Sequence, residues 1–219
     1  MLSKNKLNKG ILITFEGIDG SGKSTQIKKL NNYLKKNKVI NFYFTREPGG
    51  TDFGNISRKL LLNNNKIKFS SESQILLLIA SRLEHYKQFI LPLLKKNKII
   101  VSDRFQDSTY AYQCGNDERL YNFLKYLNRL LFDDFEPNLT ILLDISPKIA
   151  IQRMKNREVN NVFDKKTLYF YKIARNNYLK LAKNNKRIIV FNASLNQEEL
   201  FNNIQKIIFK KIKQNAIKL

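Results

Sequence analysis

Residues Gly17-Ile18-Asp19-Gly20-Ser21-Gly22-Lys23-Ser24 carry the densest chemistry in this sequence. Their spacing, G-x-x-x-x-G-K-[ST], is that of a loop that grips phosphates. The glycines permit backbone angles that side chains forbid, so successive N–H groups can turn inward around phosphate oxygens. A helix starting behind the loop adds the positive end of its dipole. Lys23 brings a mobile cation to the outer phosphates, and the Ser24 hydroxyl can ligate Mg²⁺. The expected ligand is a nucleoside triphosphate, ATP or another. The loop alone does not say what is done with it.

Other residues narrow the reaction. Asp103 ends an apolar run, the place where a phosphate-loop protein keeps the carboxylate that orients Mg²⁺. Arg104 follows directly and is expected in the same crevice. Arg46, Arg82, Arg153 and Arg157 are also arginines in a chain that otherwise favours lysine. Arginine grips phosphate with a rigid fork that lysine cannot copy. Phosphoryl transfer needs alignment and charge neutralisation more than covalent help. A donor loop plus several arginines therefore points to a kinase rather than a mechanical ATPase. No Asn-Lys is followed by x-Asp, so the guanine signature of regulatory GTPases is missing from the sequence.

The elements that must position these groups follow from periodicity. Ile11 to Phe15 reads as a buried strand ending at Glu16, and a helix runs from about Ser24 to Asn37. Asn41 to Thr45 reads as a strand, and Pro48-Gly49-Gly50 as a loop. Ile56, Leu60 and Leu61 suggest a helix. Ser71 with Gln74 predicts a capping box, opening a helix that reaches toward Leu94 with Pro92 as a possible kink. Lys98 to Ser102 is the next strand, followed by a short polar-aromatic segment, Phe105 to Asn116. Glu118 to Phe132 reads as a helix and Leu139 to Asp144 as a strand. Ser146-Pro147 starts another helix. Lys165 to Asn184 is helical, Arg187 to Phe191 a strand, and Asn196 with Glu199 caps a last helix. This alternation predicts an α/β fold: a five-stranded parallel sheet flanked by helices on both faces, in one domain spanning residues 1–219. Ligands then bind at the carboxyl ends of the strands.

The chain has 219 residues, enough for one sizeable core, and 42% are hydrophobic. A single Cys and a single His exclude an internal disulfide and a zinc site built from those residues. No apolar run is long enough to span a membrane, and no signal-like segment follows the basic start; a cytoplasmic protein is expected. The formal charge of +22 invites a nucleic-acid reading. The lysines, however, are spread along the whole chain in pairs rather than gathered on one element. Compositional drift is the reading adopted, with no nucleic-acid partner expected.

The motifs resemble those of bacterial thymidylate kinase along nearly the whole chain. The likeness rests on Phe15 to Thr25, on Thr45-Arg46-Glu47-Pro48-Gly49-Gly50-Thr51, on Ala80-Ser81-Arg82, on Ser102 to Gln113, and on Leu142 to Pro147. The resemblance implies transfer of the ATP γ-phosphoryl group to dTMP, giving dTDP on the way to dTTP. It also implies Mg²⁺ and a homodimer. Gly17, Ile18, Asp19, Gly20, Ser21, Gly22, Lys23 and Ser24 would hold ATP, with Ser24 and Asp103 on the metal. Asp19 would also sit near the acceptor sugar, and Glu47 beside acceptor and metal. Arg82 and Arg104 would hold the dTMP phosphate. Ser108, Thr109, Tyr112 and Gln113 would form the thymidine pocket, Tyr112 crowding a ribose 2′-hydroxyl. Arg153 and Arg157 would belong to a lid at about residues 153–164. Two departures are visible. Leu78 stands where the family has an aromatic ring against thymine, and Asn161-Val162 stands where its lid carries Asp-Arg. Two other readings stay open from the residues alone. A deoxynucleoside kinase would relax the demand for Arg82 and Arg104. A basic, nucleic-acid-binding ATP sensor would bind polyanions with steep salt dependence.

Overall fold

The computed structural model describes residues 10–62, 68–155 and 167–215. At its centre is β1 (Ile11–Glu16), buried along its entire length. Its mostly apolar sequence, with Thr14 paired to Thr140, suits a strand covered on both faces. Around it lies a five-stranded parallel sheet in the order β2-β3-β1-β4-β5. The partners are β2 (Phe42–Arg46), β3 (Ile99–Asp103), β4 (Leu139–Asp144) and β5 (Ile188–Asn192). The chain leaves β1 toward one edge and leaves β3 toward the other. A crevice opens over their carboxyl ends, where α/β folds bind ligands. Register makes that edge level: Phe15 and Arg46 both pair with Asp103.

Helices cover both faces. α1 (Lys23–Lys36) and α9 (Gln197–Gln214) pack together, burying Leu30, Leu34, Ile204 and Ile208. α2 (Asp52–Leu62) packs on α3 (Ser71–His85), and α3 on α6 (Glu118–Phe132). α7 (Pro147–Lys155) and α8 (Leu168–Asn184) follow β4. The expected strands are all present, shifted by about one residue at some ends.

Three local details differ from expectation. The cap of α3 is Ser70, not Ser71: the Ser70 hydroxyl accepts the Ser73 N–H at 3.2 Å. The side chain of Gln74, the supposed partner in the box, donates instead to the Phe69 carbonyl at 3.2 Å. Beyond His85 the helix continues through a wider π turn, Tyr86–Ile90, into α4 (Leu91–Lys95). Pro92, in the first turn of α4, lacks the N–H that would bond back, and the chain widens just before it. Finally, the polar-aromatic segment after Asp103 forms α5 (Gln106–Tyr112). Its buried side chains are Gln106, Asp107, Thr109 and Ala111, so its inward face is mostly polar and has no apolar period to read. Arg157 and Asn161-Val162, with most of the expected lid, lie outside the described residues.

Candidate active site

The phosphate loop is fixed from behind. A side chain on Gly17 would meet the Leu143 carbonyl of β4, and one on Gly20 the Ala150 carbonyl of α7, both at 2.5 Å or less. Both residues also adopt positive φ, which favours glycine. Lys23 opens α1 and folds back over the loop. Its ammonium donates to the carbonyls of Gly17 at 2.9 Å and Ile18 at 3.1 Å. Burial, and then the nearby Arg104 cation, lower its pKa to about 8.

Ser24 donates to Asp103 Oδ2 at 3.2 Å. The other oxygen, Asp103 Oδ1, is buried without a hydrogen-bond partner among the described residues. These are hard oxygen donors of the kind Mg²⁺ takes, and Mg²⁺ completes its shell with water and substrate phosphates. Among the described residues no group of three or more His, Cys, Asp or Glu could form a metal site built from protein ligands alone. Ser24 and Asp103 therefore fit a phosphate-bound Mg²⁺.

Arg104, one residue on, faces a different set of groups. Its backbone is left-handed at φ 70°, and its N–H donates to Phe15 O. Nη2 donates to Asp19 Oδ1 at 2.6 Å; Nη1 reaches Gly17 O, Ser108 Oγ and Tyr178 OH at 3.0–3.2 Å. The guanidinium also lies over the Tyr112 ring, 5.1 Å from its centre. Tyr112 OH accepts the Asp19 N–H at 3.0 Å and donates to Asp19 Oδ2 at 3.2 Å. Burial pushes the Asp19 carboxyl up, but Arg104 and Lys23 outweigh it and hold its pKa below the ordinary range. Burial pushes the Tyr112 hydroxyl far up, so it stays a proton donor.

A second cluster sits deeper. Glu47 and Arg82 are both almost fully buried and form an ion pair, Nε to Oε2, at 2.7 Å. His85 Nδ1 lies 2.9 Å from Glu47 Oε1, and its Nε2 lies 2.8 Å from Thr45 Oγ1. Arg82 Nη2 donates to Thr109 at 2.9 Å, while Nη1 is buried without a hydrogen-bond partner among the described residues. Gln113 donates to Gln74 at 3.3 Å. Gln74, Leu78 and Arg82 recur every fourth residue on α3, on one helix face. The two outer ones bond to Thr109 of α5 and to Gln113 just after it, so Leu78 lies between them on the side toward α5, half-buried.

The structure thus brings together the loop, Asp103, Arg104, Ser108 and Tyr112, with Glu47, Arg82 and Thr109 in the adjoining cluster. Arg153 stands apart: on exposed α7 surface, it donates through both terminal nitrogens to the Ala193 carbonyl after β5. Four residues join the site without having been singled out for a role. Arg58 of α2 donates to Pro48 O, and burial and then the neighbouring Arg46 lower its pKa. His85 braces Glu47, Tyr178 of α8 reaches Arg104, and Glu16 underlies both Ser108 and Tyr178. Only Glu16 left a signal in the sequence, as a carboxylate closing an otherwise apolar strand.

Comparison with known proteins agrees with this geometry. The family model described as thymidylate kinase matches residues 15–204. The thymidylate kinase of Maridesulfovibrio salexigens is 40% identical over 218 aligned positions, covering 94% of this chain and 99% of its own. That of Kosmotoga olearia is 37% identical, covering 90% and 94%. The crystal structure of thymidylate kinase from Ehrlichia chaffeensis superposes with a TM-score of 0.71 at 33% identity, covering 91% of this chain and 98% of that one. With the model match running from the phosphate loop into α9 and the fold shared throughout, the chain belongs to the thymidylate kinase family.

Proposed function

We infer that the protein transfers the γ-phosphoryl group of ATP to dTMP, giving dTDP. The observation that carries this reading is the meeting of two clusters at consecutive residues: Asp103 beside Ser24, and Arg104 beside Asp19 and Tyr112. Residues Gly17 to Ser24 take the ATP phosphates, and Lys23 leaves its two loop carbonyls for phosphate oxygens. Ser24 and Asp103 hold Mg²⁺, which neutralises charge on the phosphates when bound. Arg104, Arg82 and Arg58 take the acceptor phosphate. The unpartnered Nη1 of Arg82 supports this, because a buried donor without an acceptor calls for a ligand. Glu47 holds Arg82 in place. Leu78, Ser108, Thr109, Tyr112 and Gln113 line the nucleoside pocket, and Tyr112 crowds a 2′-hydroxyl. These groups work by alignment and charge, the means by which phosphoryl transfer is accelerated.

The protein acts as one kinase domain in the cytoplasm and as a homodimer. Exposed apolar side chains support the dimer: Ile56 of α2, Leu76 of α3, and Tyr126 and Leu130 of α6 are each at least 50% accessible. A coupled ADP-release assay with Mg²⁺-ATP tests the reaction against dTMP, dUMP, dCMP, dAMP, dGMP, UMP and thymidine. Turnover should be strongest with dTMP and absent with thymidine. Turnover with thymidine instead would make the protein a nucleoside kinase, and silence with every acceptor would overturn the reading.

A further inference from the structure

Glu16 closes β1 immediately before the phosphate loop, and its side chain is wholly buried. Its carboxylate serves the acceptor side of the crevice. Oε1 accepts the Phe105 N–H at 2.7 Å. Oε2 accepts the Ser108 hydroxyl at 2.6 Å and the Tyr178 hydroxyl at 3.0 Å. Those two hydroxyls lie 2.8 Å from each other, so they share the carboxylate as a pair. A hydroxyl has one proton to give. Spent on Glu16, it leaves lone pairs facing outward. Arg104 Nη1 is there, 3.0 Å from Ser108 Oγ and 3.2 Å from Tyr178 OH. A guanidinium has only donors, so it is held only by oxygens whose protons point elsewhere.

We propose that Glu16 is a positioning residue for the acceptor phosphate: through the hydroxyls of Ser108 and Tyr178 it holds the Arg104 guanidinium in the orientation that grips that phosphate. This rests on the assignment of Arg104 to the acceptor phosphate. Glu16 is an expensive group to keep. Burial, and then the Asp107 charge, push its pKa up to about 7. The isosteric amide cannot replace it. A glutamine that keeps its carbonyl toward the Phe105 N–H turns its NH₂ toward Ser108 and Tyr178. Their protons are then displaced toward Arg104, which loses two acceptors. The flipped amide sets donor against donor at Phe105.

Calorimetric titration of the wild type, Glu16→Gln, Tyr178→Phe and Arg104→Ala with dTMP, thymidine and ATP tests the proposal. Thymidine has the nucleoside and no phosphate, so the ratio of dTMP to thymidine affinity isolates the phosphate grip. Glu16→Gln should weaken dTMP about tenfold, the scale of a lost hydrogen bond to a charged group. Thymidine and ATP should stay within about twofold of wild type. Tyr178→Phe should move the same ratio in the same direction by less, and it decides alone should Glu16→Gln fail to fold. Equal weakening of all three ligands, or an unchanged ratio, would overturn the proposal. Arg104→Ala separates the two levels. An unchanged ratio there removes the acceptor-phosphate assignment itself. A lowered ratio there, with none in the other two variants, removes Glu16 only.

Discussion

Replacing Glu47 with Gln tests the buried ion pair on which the proposed acceptor site is built. Glu47 and Arg82 are 4% and 2% exposed, and Arg82 Nε lies 2.7 Å from Glu47 Oε2. Glutamine keeps the volume, an acceptor for Nε and an amide that can face His85. What it removes is the negative charge. Leaving one member of a buried pair uncompensated costs about 3–5 kcal/mol, and the surviving hydrogen bonds place this case near ~3. For a chain of this length each kcal/mol moves the melting temperature by ~2–4 °C, so Glu47→Gln should melt ~6–12 °C lower. Scanning calorimetry with and without dTMP reads the effect. Arg82 Nη1 has no hydrogen-bond partner among the described residues, so the dTMP phosphate supplies an anion that the variant lacks. Saturating dTMP should therefore raise the melting temperature more in the variant than in wild type. A drop smaller than ~2 °C would refute the reasoning, because Arg82 would then not depend on Glu47 for its charge balance. A full drop with no larger dTMP increment would mean the phosphate does not reach Arg82.

The other predictions concern single groups. Lys23→Ala should fold normally and lose roughly 10²–10³-fold in turnover, the scale of one removed transition-state donor. Near-normal steady-state turnover in a folded variant would end the role given to Lys23. Leu78→Phe should tighten dTMP by about 1 kcal/mol through ring stacking on the base; a calorimetric affinity no better than wild type would move Leu78 out of the base pocket. Glu16 sets a pH dependence of stability. Its folded pKa of about 7 lies above the ordinary 4.5, so the folded state binds the proton more tightly. The stability this gives is complete below pH 4.5 and is lost as pH rises through 7. Asp107 strengthens the effect and Arg104 opposes it. Denaturant unfolding at successive pH values should therefore show Glu16→Gln gaining on wild type across that window. A difference that stays constant with pH would contradict it.

What the sequence made legible was the frame and its nearest chemistry. Apolar runs marked every strand, and the phosphate-loop spacing located Lys23 and Ser24 without reference to the rest. Asp103 and Arg104 were readable because they close an apolar strand. Failure came where burial is polar. α5 hides Gln106, Asp107 and Thr109, satisfied by partners far along the chain: Arg187 for Asp107 and Arg82 for Thr109. Such pairing has no local period. Arg58 and Tyr178 were invisible for the same reason, since only tertiary packing carries them to the crevice. Ser70 displaced Ser71 as a cap because adjacent serines offer the same chemistry and only the backbone geometry chooses between them. Arg153 stood out as an arginine among lysines, yet its hydrogen bonds go to the Ala193 carbonyl.

Asp103 and Arg104 are joined by one peptide unit, whose Cα atoms stand about 3.8 Å apart. Asp103 looks toward Ser24 and Arg104 toward Asp19 and Tyr112. The left-handed turn at Arg104 is what parts the two side chains. In the proposed reaction this makes a covalent ruler. One peptide unit fixes the Cα spacing of the two groups that face the donor and acceptor phosphates, and the side-chain torsions of Asp103 and Arg104 make up the rest of the distance. Inserting a single residue there would spoil the measure while leaving both substrates their own pockets.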